Sequence, residues 1–74
     1  MKLPPASGAQ TVQALQRAGF TISRIHGSHY ILKGGDPPRR VTVPFHRQEL
    51  APKTQQTILR QAGVSVEMYA RLLQ

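Results

Sequence analysis

The 74-residue chain has no cysteine, so neither a disulfide nor a thiolate-held metal can support its fold. Such a chain suits a reducing compartment, and a cytoplasmic location is expected. Tryptophan is missing too, and the only aromatic rings are Phe20, Tyr30, Phe45 and Tyr69. With 39% hydrophobic residues in one small domain spanning 1–74, the chain can build only a thin core. A deep pocket for a large organic group does not fit that core, and no cofactor is expected. No run approaches the roughly 20 apolar residues of a membrane span. Met1-Lys2-Leu3-Pro4-Pro5 lacks the apolar heart of a signal peptide, and no long basic amphipathic helix suits a bilayer surface. No membrane partner is expected.

Acidic residues are scarce: Asp36, Glu49 and Glu67 are the whole set. Asp36 falls in a turn, Glu49 after a strand and Glu67 in the last helix, so no two carboxylates are placed to work as a pair. That argues against two-carboxylate glycoside hydrolysis and against a carboxylate-held Mg²⁺. Nothing resembles a P-loop, for which Gly34-Gly35 alone is too little. Ten Lys and Arg residues face those three acids, leaving a net charge of +7. On so small a body this creates several kT of positive potential, and the natural partners are polyanions: RNA, DNA, anionic lipid or an acidic protein.

Local signals divide the chain into six elements. Residues 1–6 read as a flexible N-terminal tail ending at the Pro4-Pro5 pair. Ser7-Gly8-Ala9-Gln10 has the form of a capping box, and Ala9, Val12, Leu15 and Ala18 follow at helical spacing. Gly19 suits the left-handed residue that stops a helix, so the first helix spans roughly 8–18. Phe20 to Ile25 is strand-like, although Phe20 and Ile22 alternate correctly while Ile25 falls on the other face. Gly27-Ser28 breaks the chain before a second strand, His29 to Lys33, in which His29, Ile31 and Lys33 share one face and Tyr30 and Leu32 the other. The turn Gly34-Gly35-Asp36-Pro37-Pro38 leads to a third strand, Arg40 to Val43, closed by Pro44. Pro52 and Lys53 open a helix carrying Ile58, Leu59 and Ala62 and stopped by Gly63, and Ser65 caps a last short helix, Val66 to Leu73. Three short consecutive strands predict an antiparallel meander, and helices on one side of it make an α+β two-layer domain.

His26, His29 and His46 are the residues best suited to chemistry. His26 and His29 are three apart, which in an uninterrupted strand sets them on opposite faces. The Gly27 break can bring them together, yet no acidic or thiol ligand completes a set, and no metal site is expected. A histidine among cations suits metal-free RNA cleavage instead. There the 2′-hydroxyl needs a base and the leaving 5′-oxygen needs a proton, and free imidazole titrates near pH 6.5. Arg24, Lys33, Arg39, Arg40 and Arg47 lie in or beside the predicted sheet and can bind phosphate. Composition alone leaves a nuclease and a non-catalytic binder both open.

At Gly27-Ser28-His29-Tyr30 a resemblance appears. Together with Gly19-Phe20, Val41-Thr42-Val43-Pro44-Phe45-His46 and Ile58-Leu59-Arg60-Gln61-Ala62-Gly63, this block resembles the HicA toxins, mRNA interferases of type II toxin–antitoxin pairs. The resemblance runs from about Ser7 to Leu73. It implies an α-β-β-β-α fold like that of double-stranded-RNA-binding domains, with a short C-terminal helix. It also implies RNA endonuclease activity with His29 as the catalytic residue, and a HicB-type antitoxin as inhibitor. Operator DNA would be contacted only through the antitoxin complex. Gly27 then supplies a bend at no Cβ cost, Ser28 can bond a phosphate or the turn backbone, and His46 is an accessory candidate. Tyr30 reads as core, and His26 as an exposed strand residue without a role. The chain departs from the family where it has Lys53-Thr54-Gln55 in place of a common Gly-Thr-Leu, which replaces a helix-opening residue and a core contact.

The leading expectation is an mRNA interferase using His29, and the alternative is a basic RNA-binding module that does not cut. A DNA-binding accessory protein is disfavoured, because no helix-turn-helix is apparent and the second helix carries only Lys53 and Arg60 as cations.

Overall fold

Two reciprocal hydrogen bonds start the first helix. The Gln10 N–H donates to Ser7 Oγ at 3.1 Å, and the Ser7 N–H donates to Gln10 Oε1 at 2.8 Å. This box sets α1 at Gly8–Arg17 in the computed structural model, which describes residues 2–74. The helix closes as its sequence indicates: Gly19 takes φ 99°, its N–H bonds Gln16 O, and the Phe20 N–H bonds Leu15 O. That pair of bonds is a Schellman closure, and it returns Phe20 to the core.

Three strands follow, β1 (Thr21–His26), β2 (His29–Gly34) and β3 (Arg39–Pro44), in an antiparallel sheet of order β1-β2-β3. The register moves from Ile22↔Leu32 to Arg24↔Ile31, so Ser23 is an extra residue in a β-bulge. The bulge resolves the broken alternation of the sequence, because it returns Ile25 to the face already holding Ile22. Both side chains remain partly in solvent on this edge strand. Leu32, Val41 and Val43 point from the same face into the main core with Val12, Leu15, Phe20, Ile58 and Ala62. Tyr30 packs against that core and stacks on Phe45, ring centroids 4.1 Å apart, as a core reading of Tyr30 requires.

Two more helices, α2 (Pro52–Ala62) and α3 (Val66–Leu72), complete an α+β fold with the helices on one side of the sheet, consistent with the double-stranded-RNA-binding-domain type. Helix α2 has no side-chain cap at Ala51 but carries proline at its first position, where the missing N–H costs nothing, and Gly63 ends it at φ 69°. Ser65 caps α3 by accepting from the Met68 N–H.

The segment before α1 does not stand away as a tail. Ala6 is buried, Leu3 packs beside it, and the Leu50 N–H donates to Ala6 O at 2.9 Å. Two prolines limit the freedom of this stretch, and the groove between α2 and α3 offers it apolar cover. The tail expected at Met1 lies outside the described residues.

A second, smaller core forms here from Ala6, Ala14, Leu59 and Tyr69. At its centre Gln55 donates to Pro4 O at 2.9 Å and to Tyr69 Oη at 3.3 Å, and Tyr69 Oη is 2.7 Å from Thr11 Oγ1. Position 55 therefore remains a core contact, but a polar one. Gln55 ties the N-terminal segment, α2 and α3 together through buried hydrogen bonds.

The start of α1 also fixes the chain after β3. A Cβ built on Gly8 would lie 1.8 Å from Pro44 O, and the Ala9 N–H donates to His46 O. The obstacle is backbone, which cannot swing aside as a side-chain tip can. Gly8→Ala is therefore expected to destabilise the protein by about 1–3 kcal/mol, read as a lower midpoint in urea unfolding.

Candidate functional site

The Gly27-Ser28 turn places the first candidate side chain. Gly27 has φ 63° and Ser28 does not share a positive φ, the backbone pattern of a Gly-first two-residue hairpin turn. His26 and His29 flank this turn as direct cross-strand partners. Ser28 lends the turn its carbonyl, which accepts from the Phe45 N–H at 2.6 Å and holds the hairpin tip against the end of β3.

His29 is exposed at the start of β2, opposite Pro44 on its other side. Its face of the sheet is the one turned away from the core. It lines a groove of about 270 Å³ with Thr42 and Pro44 from β3 and Lys53, Thr54, Thr57, Ile58 and Gln61 from α2. Gln61 reaches the sheet edge, where its Oε1 accepts from the Thr42 N–H at 3.4 Å. The groove thus joins an imidazole, one ammonium group and several neutral hydrogen-bonding side chains over an apolar floor.

Farther along the same outer face, Arg24, Lys33 and Arg40 come together with Ser23 and Ile31 around a shallow depression. Register explains the grouping: Arg24 is opposite Ile31, and Lys33 is opposite Arg40. At about 3.4 Å per residue, Lys33 lies roughly 14 Å along β2 from His29. A polyanion crossing this open face can meet both. No acidic residue lines the groove or the depression.

The other sequence candidates lie elsewhere. Arg39 alternates to the helix side of the sheet, where its guanidinium lies against Gly63 at the end of α2: a Cβ there would come within 2.7 Å of Arg39 Nε. A cation at that helix end complements the carbonyl dipoles, which gives Arg39 a structural use. Arg47 and His46 are exposed on the segment after β3 and line neither depression. His46 is tied to α1 through its carbonyl, not its ring.

Lys53, Thr57 and Gln61 escaped sequence reasoning as site residues. Their signal was their four-residue spacing, which puts them on one polar flank of α2 beside Ile58. Among the described residues, no three His, Cys, Asp or Glu side chains gather in a way that could hold a metal ion, and no helix is long and apolar enough to cross a membrane.

A family model described as the HicA toxin of bacterial toxin–antitoxin systems matches residues 8–64. No curated protein matches the chain.

Proposed function

Because the chain belongs to the HicA toxin family of bacterial toxin–antitoxin systems, we propose that it is an RNA endonuclease that works through His29 and is held inactive by a HicB-type antitoxin. The observation that carries this reading is the exposed His29 imidazole at the rim of a groove with Lys53, on a sheet face that also presents Arg24, Lys33 and Arg40. Cations there hold the phosphodiester and offset charge that builds on its non-bridging oxygens. Imidazole takes or gives a proton during attack of the 2′-oxygen on phosphorus, which expels the 5′-oxygen and leaves a 2′,3′-cyclic phosphate. Lys53 and the α2 hydroxyls serve as positioning groups. Arg39 is left out of the RNA-binding set, and Arg47 and His46 have at most a peripheral part.

The open basic face is also where an acidic antitoxin surface would dock, because opposite potentials steer association and fix its register. Operator DNA would be contacted only through the antitoxin complex, as the likeness to the HicA family implies.

The test is cleavage of a short oligoribonucleotide by purified protein in the presence of EDTA. The expected result is a 2′,3′-cyclic phosphate product, and no cleavage when the scissile nucleotide carries 2′-deoxyribose. Cleavage of the deoxy substrate would overturn the 2′-hydroxyl mechanism, and loss of activity in EDTA would overturn its independence of metal. The Arg24, Lys33 and Arg40 cluster favours one second reading, an RNA-binding module without cleavage, in which RNA binds but stays intact.

A further inference from the structure

Transphosphorylation moves two protons, one from the 2′-hydroxyl and one to the departing 5′-oxygen, and His29 supplies only one imidazole. The side chains around it narrow the choice of partner. Directly across β3 is Pro44, which has nothing to titrate, and two residues along β2 is Ile31. Directly across β1 is His26. Residues opposite each other in an antiparallel pair project to the same face with Cβ atoms about 4.5–5.5 Å apart. The two-residue Gly27-Ser28 turn therefore brings together two histidines that an unbroken strand would separate.

We propose that His26 is the second proton-transfer group of the site, working with His29 as an acid–base pair across one phosphodiester. Both residues are exposed, and the register places both on the outer sheet face. His26 ends the edge strand, so its ring has no strand neighbour on its far side and can splay to admit a phosphate between the two imidazoles. Arg24, two residues before His26 on the same face, offers a cation for the non-bridging oxygens, as Lys53 does from the groove beside His29. Arginine itself does not release a proton in proteins, and the third histidine, His46, lies on the segment after β3 against α1 and is not a cross-strand partner of His29.

The step balances as follows. One neutral imidazole takes the 2′-hydroxyl proton while the 2′-oxygen bonds to phosphorus. The phosphorus–5′-oxygen bond breaks, and the other imidazole, protonated at the start, gives its proton to that oxygen. The pair ends with its proton on the opposite ring, and exchange with water resets it. This inference rests on the RNA endonuclease reading, and its test separates the two.

Purified wild type, His26→Gln and His29→Gln are compared on two oligoribonucleotides, one ordinary and one with sulfur in place of the scissile 5′-oxygen. Thiolate leaves without protonation, so loss of the general acid is masked on the sulfur substrate. On ordinary RNA each variant is expected to be slower than wild type by about 10²- to 10⁴-fold. On the sulfur substrate, one of the two variants is expected to regain a rate near that of wild type, and whichever does so identifies the acid. Thermal melting checks that both variants keep the fold, as exposed positions should. If His26→Gln cuts ordinary RNA like wild type while His29→Gln does not, the pair is overturned and the His29 nuclease reading stands. If both variants are slow and the sulfur substrate rescues neither, His26 is not a proton-transfer group and the proposal is overturned. If wild type cuts neither substrate, the nuclease reading fails and the pair falls with it.

Discussion

His29→Gln is expected to abolish growth arrest when the chain is expressed without an antitoxin, while the wild type at matched expression stops growth and fragments cellular mRNA. The expected loss in cleavage rate is about 10²- to 10⁴-fold, the usual contribution of one positioned general acid or base. Glutamine keeps a polar, hydrogen-bonding side chain at the hairpin but cannot exchange a proton near neutrality. Because His29 is exposed and its hairpin is held by backbone bonds, the substitution should change stability by no more than about 0.5 kcal/mol. RNA affinity should also persist, since Arg24, Lys33, Arg40 and Lys53 remain. The diagnostic result is therefore a folded, RNA-binding, inactive protein. Arrest by the wild type and the variant alike, with mRNA intact, would favour toxicity through binding and sink the catalytic assignment.

That prediction draws on residues whose placement was partly legible in the sequence. Local chemistry was read reliably: the Ser7 box, the Gly19 and Gly63 stops and the Ser65 cap each involve residues three to five apart. The hairpin geometry was harder. Alternation along Phe20 to Ile25 looked faulty because a bulge at Ser23 cannot be seen without the partner strand. The juxtaposition of His26 and His29 was open to the sequence only through the Gly27 break, and the register makes it a direct cross-strand pair. Arg39 and Arg40 read alike as adjacent cations, yet strand alternation sends one to the end of α2 and the other to the open face. The α2 flank of the groove was missed because Lys53, Thr57 and Gln61 are ordinary exposed helix residues until β3 packs beside them.

The least legible feature was Tyr69, and it carries the largest expected effect on stability. Read as part of a short C-terminal helix, it gave no sign of being fully buried, because its partners are distant in sequence: Thr11 is 58 residues away and Gln55 is 14. The hydrogen bonds have one consistent direction. The Thr11 hydroxyl donates to Ser7 O at 2.9 Å, so the Tyr69 hydroxyl donates to Thr11 Oγ1 and accepts from Gln55 Nε2. Tyr69→Phe removes that relay and keeps the ring. Thr11 and Gln55 each retain another partner, Ser7 O and Pro4 O, so the expected cost is about 1–2 kcal/mol. At roughly 4–8 °C per kcal/mol for a domain this small, that lowers the melting temperature by about 5–15 °C.

Tyr69→Ala also empties the centre of the second core, where Ala6, Ala14 and Leu59 meet the ring, and should cost about 3–5 kcal/mol. A domain of this length has a total stability of roughly 4–11 kcal/mol, so the alanine variant loses between about a quarter and all of it and should melt far below the wild type. Circular dichroism melts of the three proteins measure both steps. The phenylalanine variant, once folded, should cleave RNA at the wild-type rate, because Tyr69 lines neither the His29 groove nor the Arg24–Lys33–Arg40 depression. A Tyr69→Ala protein melting within a few degrees of wild type would show that α3 and the N-terminal segment add nothing to the fold. Wild-type stability with lost cleavage would instead tie this second core to the catalytic face.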